Sequence, residues 1–275
     1  GMWLITFAPL YLIAVPVGLL LLRKVPAKPL EKHDLKPVRY LVSAIICIFM
    51  MYAGNILGTI ITALLQLLPG ISAGNPILSY ATDNALLPKI LFMVILAPVI
   101  EEYIFRKQLI DRMHVYGEKL AVITSALMFG LFHGNLSQLF YAFALGLVFG
   151  YVYLKTGKLR YSISLHMLIN FIGSVAGPFF LEKIAVLGTM ETLDMVALES
   201  IMPWLIGFGA YVLVLIGLAI TGLVLLCINK RKVSFAPAEL ELPKDDRFMT
   251  VYGNVGMILL VVGCTALIVA SLIPL

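Results

Sequence analysis

Seven side chains in three short stretches could do chemistry together: Glu101, Glu102 and Arg106 in "EEYIFR", Phe129 and His133 in "FGLFH", and His166 and Asn170 in "HMLIN". Within each stretch one pair is spaced i,i+4, which puts both groups on one helix face. Glu102 is expected to pair with Arg106. At 3.6 residues per turn Glu101 projects about 100° away, free of the arginine. A carboxylate in a desolvated cavity can act as general base on water. His133 would help hold and activate that water. His166 and Asn170 would donate hydrogen bonds to the oxyanion formed when water attacks an amide carbonyl, and Phe129 would wall the site. No serine or cysteine sits in a recognisable nucleophile setting, so glutamate-activated water is the expected mechanism.

Zinc is the competing reading, because two histidines and a glutamate are adequate ligands. The HExxH helix of common zinc peptidases is missing, so the sequence calls for no cofactor but does not exclude zinc. Cys47, Cys227 and Cys264 lie inside apolar segments. They offer no CxxC metal pair or disulfide framework and read as small buried hydrophobes.

The elements that must position these groups are membrane helices. The chain has 275 residues, of which 61% are hydrophobic and 13% charged, against about 45–50% and about 25% in soluble domains. Continuous apolar runs, rather than alternating ones, point to helices instead of a barrel. Eight spans are expected near residues 2–22, 40–68, 88–112, 119–136, 138–155, 161–181, 201–227 and 251–274. With the N-terminus outside, 18 of the 20 lysines and arginines fall in inner loops, leaving Lys89 and Lys183; this is the positive-inside pattern. The net charge of +5 is therefore an orientation signal, and no nucleic-acid partner is expected. The outer loop 182–200 is acidic, and the polar stretch 228–250 reads as a solvated connector. Gly1 ahead of Met2 reads as a non-native leading residue. The run 2–22 lacks a basic n-region and reads as a retained helix. Gly146 and Gly150 form a GxxxG stretch that suits close helix approach, and Pro98 is placed to kink the third span.

The expected fold is all-α: one polytopic membrane bundle over 1–275, of about eight transmembrane helices, with the active site inside the membrane core. Both termini are expected outside and the site open to the cytoplasm. Ionisable groups in a membrane are costly and generally face an interior or a water cavity. At about 1.5 Å per residue, Glu101, His133, His166 and Asn170 sit roughly 9–21 Å in from the cytoplasmic edge. One buried cluster is the economical reading.

In order and separation, EExxxR, FxxxH and HxxxN resemble the CAAX protease and bacteriocin-processing (Abi) family of intramembrane endopeptidases. The stretch "ALGLVFGYVYLKTGKLRYSISLHMLIN" adds to the likeness, which covers roughly residues 88–175. The resemblance implies water activation by Glu101 and His133 and an oxyanion hole from His166 and Asn170. Arg106 would brace the glutamates, with Glu102 as the second of them. It implies a peptide or membrane-protein substrate reached from the bilayer. Eukaryotic members trim prenylated proteins, but no residue here points to that substrate. A non-catalytic membrane regulator and a proton-relay transporter are the other classes considered, and the second is weakened by the lack of paired inverted repeats. The oligomeric state is left open.

Overall fold

The structure is a computed structural model that describes residues 2–71, 86–185, 195–240, 242–243 and 245–273. Gly1, Lys244 and the acidic Glu191 and Asp194 lie outside the described residues. The described residues are all-helical, without strand, as a chain that must satisfy its backbone inside lipid requires.

Helix α1 covers 2–22 and includes a π-helical turn, Leu10–Ala14. Helix α2, Pro37–Leu65, opens on a proline, whose missing N–H costs nothing at a first helical position. Helix α3 runs over 86–113 and alternates between π and α geometry. Helix α4, Glu118–Phe132, leads to α5, Leu136–Thr156. Asn135 caps α5 by accepting a bond from the Gln138 amide at 3.0 Å. Gly157 ends the helix with φ +59, a left-handed C′ conformation that suits glycine. A Cβ at Gly157 would also lie 2.4 Å from the Glu31 carbonyl oxygen. Helix α6 spans 159–185 with a π turn at Ile172–Ala176, and α7 is Met195–Asn229. Helices α8, Arg247–Tyr252, and α9, Val255–Ala270, split the expected last span at Gly253 and Asn254.

Among the described residues, four helices are long and apolar enough to cross a membrane: Pro37–Leu65, Leu136–Thr156, Leu159–Ala185 and Leu198–Lys232; Phe7–Leu22 and Val255–Ala270 are shorter apolar helices. The expected spans that carry Glu101 and His133 differ from these. Helix α4 has 15 residues, about 22 Å at 1.5 Å per residue, against roughly 30 Å of hydrocarbon. These short or broken helices hold Glu101, Glu102, Arg106 and His133, while His166 and Asn170 lie on the long α6.

Helix α5 is the axis of the bundle. Half of its apolar window is buried, against 11% for α7, so α7 presents most of its surface to lipid. Leu145, Phe149 and Val152 of α5 pack with Ala44, Cys47 and Ile48 of α2, Leu165 and Ile169 of α6 and Leu215 of α7. On the other side α5 meets α3 and α4 through Ile110, Ala121, Val122, Tyr153 and Leu154. Close approach depends on glycines. A Cβ on Gly54 would lie 2.3 Å from the Tyr141 Cα, and one on Gly146 would lie 2.9 Å from the Ala126 Cα. The GxxxG stretch thus lies on the face of α5 that packs on α4.

One end of the bundle collects the basic loops. Segment 25–36 lies across that end: the Lys28 amide donates to the Asp111 carbonyl (2.7 Å) and the His33 amide to the Thr156 carbonyl (2.8 Å). The His114 ring bonds the Lys28 carbonyl at 2.8 Å, Lys28 pairs with Glu239 at 2.6 Å, and Asp34 pairs with Lys158 and Arg160.

Candidate active site

Span three is shaped around its glutamates. The α-helical stretch Ala97–Glu102 lies between π-helical stretches Lys89–Leu96 and Tyr103–Gln108, and such π insertions are frequent at functional sites. Pro98 connects this geometry to the site. The Ala97 amide bonds the carbonyl five residues back, on Phe92. The next bond in that register would join residue 98 to Met93, but proline has no N–H to give. The Met93 carbonyl is thereby left over inside the bundle, where an unpaired carbonyl is costly. Asn170 of α6 supplies the missing donor, its Nδ2 lying 2.8 Å from the Met93 oxygen. Pro98 is thus a docking point for α6 as well as a helix irregularity.

The two glutamates occupy different surroundings. Glu102 is fully buried. It accepts from Arg106 Nε at 3.0 Å and Nη2 at 3.3 Å, a two-pronged charge-assisted pair. Arg106 is also fully buried and donates from Nη1 to Ser125 Oγ at 2.6 Å. Ser125 passes its own hydrogen to the Phe105 carbonyl at 2.7 Å. The guanidinium lies over the Phe129 ring at 4.9 Å, a cation–π contact. Every polar atom of this pair therefore has a defined neighbour. Glu101 keeps 15% of its side chain exposed, with His166 Nε2 3.7 Å from its carboxylate.

His166 joins the two acids. Its Nδ1 lies 3.2 Å from Glu102 Oε1, and because an arginine-paired carboxylate accepts, that nitrogen carries the hydrogen. The ring is clamped by Phe149, stacked at 5.1 Å, and by the edge contact of Phe129 at 5.5 Å. His133 is similarly fixed. Its Nδ1 lies 2.8 Å from the Phe129 carbonyl, and since a carbonyl only accepts, Nδ1 is the donor and Nε2 points its lone pair elsewhere in the neutral ring. Phe129 stacks edge-on to His133 at 5.0 Å. The Glu101 carboxylate is near enough to act electrostatically on His133 and on two phenols, Tyr141 of α5 and Tyr11 of α1.

The fold brings Glu101, Glu102, Arg106, Phe129, His133 and His166 into one cluster, with Asn170 one helical turn beyond His166 and bonded to the Met93 carbonyl. One contact goes beyond the expected roles: His166 lies against both glutamates, and its Nδ1 is committed to Glu102. Sequence reasoning missed Ser125, Phe149 and the Met93 carbonyl. Ser125 precedes Phe129 and His133 by successive steps of four residues, a one-face signal legible in "SALMFGLFH". Phe149 and Met93 carry no sequence signal, since each depends on which helix packs opposite. Among the described residues no three His, Cys, Asp or Glu side chains converge on one point at metal-binding spacing.

The sequence profile of the type II CAAX prenyl endopeptidase Rce1-like family matches residues 83–172, the stretch that contains all seven side chains and both π segments of α3. Over this stretch the chain is similar to CAAX proteases. Among curated proteins, the membrane-embedded CAAX protease MroQ of Staphylococcus aureus (strain USA300) is 32% identical over 88 residues, covering 30% of this chain and 36% of that protein. The match thus spans about a third of the relative's length. No solved structure matches the chain. The matched segment holds the site, and helices α1, α2, α7, α8 and α9 lie outside it.

Proposed function

We propose that this protein is an intramembrane endopeptidase that hydrolyses a peptide bond of a membrane-associated peptide or protein by glutamate-activated water. The observation that carries this reading is the contrast between the two acids. Glu102 is fully buried and saturated by Arg106 and His166, whereas Glu101 is partly exposed with His166 Nε2 3.7 Å away. A carboxylate with spare lone pairs beside a histidine can take a proton from water. A saturated one cannot.

In the proposed reaction Glu101 removes a proton from water, His133 orients that water through Nε2, and the water oxygen attacks the scissile carbonyl carbon. His166 and the second amide hydrogen of Asn170 face the developing oxyanion. Arg106 and Ser125 hold Glu102, and through it the His166 ring, in place. The likeness of residues 83–172 to the CAAX protease profile supports a protease, and the apolar helices support a substrate met in the bilayer. The clustering of the basic loops at one end of the bundle supports a cytoplasmic position for that end and outer termini.

The test is cleavage of a quenched peptide library by the purified chain and by Glu101→Ala, each with and without a chelator. Parental activity that survives chelation and disappears in the variant is the expected result. Equal cleavage by Glu101→Ala would remove the mechanism, loss on chelation with recovery on added zinc would favour a metal enzyme, and a full cellular phenotype retained by Glu101→Ala would favour a regulator.

A further inference from the structure

The loop after His133 builds a second polar network that the family motifs do not include. Asn135 and Gln138 are buried at 4% and 6% exposure. Asn135 Nδ2 donates to the His133 carbonyl (2.8 Å) and to Gln138 Oε1 (2.6 Å). With its oxygen occupied, the Gln138 amide has only Nε2 to turn outward, and that nitrogen lies 2.8 Å from the Tyr141 hydroxyl. An amide nitrogen donates and never accepts. The Tyr141 oxygen is therefore the acceptor, and the phenol hydrogen is left to point away from the network. Among the described residues no acceptor within bonding distance takes it.

The ring of Tyr141 packs on the Phe105, Phe129 and Ala142 cluster, the cluster whose Phe129 touches both site histidines. Glu101 is close enough to act on the Tyr141 hydroxyl electrostatically, with no direct hydrogen bond between the two. Tyr11, the other phenol near Glu101, has no hydrogen bond among the described residues that fixes its hydroxyl.

We propose that Tyr141 is a catalytic residue whose hydroxyl, oriented by Asn135 and Gln138, donates to the oxyanion across from Glu101. This rests on the endopeptidase reading above and answers a need within it, because His166 Nδ1 and one Asn170 hydrogen are already committed. The water oxygen bonds to the carbonyl carbon, and its proton passes to Glu101. The C=O π pair moves to oxygen, where the Tyr141 hydrogen bonds it. Collapse re-forms C=O, breaks the C–N bond and returns the Glu101 proton to the departing amine. A hydroxyl whose oxygen already accepts a hydrogen bond is a better donor.

The test is steady-state cleavage of a peptide hydrolysed by the parent chain, compared among the parent, Tyr141→Phe, Gln138→Met and Glu101→Gln. Phenylalanine keeps the ring in its cluster, so the melting temperature should hold while kcat falls about 10²-fold, the loss typical of one oxyanion donor, with KM little changed. Gln138→Met should lose less, about tenfold. A fluorinated tyrosine at position 141, isosteric and a stronger donor, should raise kcat below its own ionisation range; a purely structural ring would not respond. Tyr141→Phe within twofold of parental kcat, beside an inactive Glu101→Gln, overturns the role of Tyr141 and leaves the endopeptidase reading standing. If the parent cleaves no peptide, the endopeptidase reading fails and the role of Tyr141 with it.

Discussion

Glu101 and Glu102 are neighbours in sequence and opposites in environment, so their substitutions should fail in different ways. Glu101→Gln removes the base while keeping shape and hydrogen-bonding capacity. Turnover should drop by at least the 10²–10⁴-fold that general-base catalysis typically contributes, at an unchanged melting temperature. Glu102→Gln leaves the fully buried Arg106 without its counter-charge. Removing one partner of a buried pair typically costs about 3–5 kcal/mol, so the melting temperature should fall first and activity with it. Thermal melts and kcat measured on the same preparations separate the two, and matching catalytic losses at full stability would refute the division. The division was legible in the sequence because i,i+4 spacing alone sends Glu102 to Arg106. The double duty of His166 was not legible, because it depends on how α6 docks against α3.

At the scale of elements, π geometry and glycine contacts decide where the motifs meet. Pro98→Ala would restore an amide able to take the Met93 carbonyl and so compete with Asn170. Activity should fall, and the effects of Pro98→Ala and Asn170→Ala on kcat should be strongly non-additive, since both act on one bond; simple additivity would show that the bond does not matter. Gly54→Ala would drive a Cβ to 2.3 Å from the Tyr141 backbone. Overpacking of this kind typically costs about 1–3 kcal/mol, read as a lower melting temperature, and it should disturb Tyr141 before the histidines. The apolar runs announced most of these helices, with boundaries within a few residues. They did not announce the π segments, the break at Gly253 and Asn254, or the shortness of α4. Hydropathy reports how apolar a stretch is, not the register of its hydrogen bonds.

At the scale of the whole molecule, the matched core is held from one end by a strap, segment 25–36, that lies outside it. The Asp34 carboxyl is held below the usual carboxylate range by the hydrogen bond from Lys158, then by that from Tyr161, and the Glu239 carboxyl is lowered chiefly by Lys28. A carboxyl whose folded value is depressed adds stability that is fully present above its unfolded value, about 3.9 for aspartate, and is lost as pH falls through the folded value. The strap should therefore stay docked at neutral pH and loosen in acid, below about pH 4. The groups are exposed, so the effect should also weaken with salt. The amides of His33 and Leu35, bonded to the Thr156 carbonyl and the Tyr161 hydroxyl, are the reporters. Their hydrogen-exchange protection factors should hold at pH 7 and collapse in acid, and Asp34→Asn should lower them at pH 7. Unchanged protection in Asp34→Asn would mean that backbone bonds alone dock the strap. The sequence placed these charges in loops but could not pair them, because Asp34 and Lys158 are brought together only once α2, α5 and α6 have assembled.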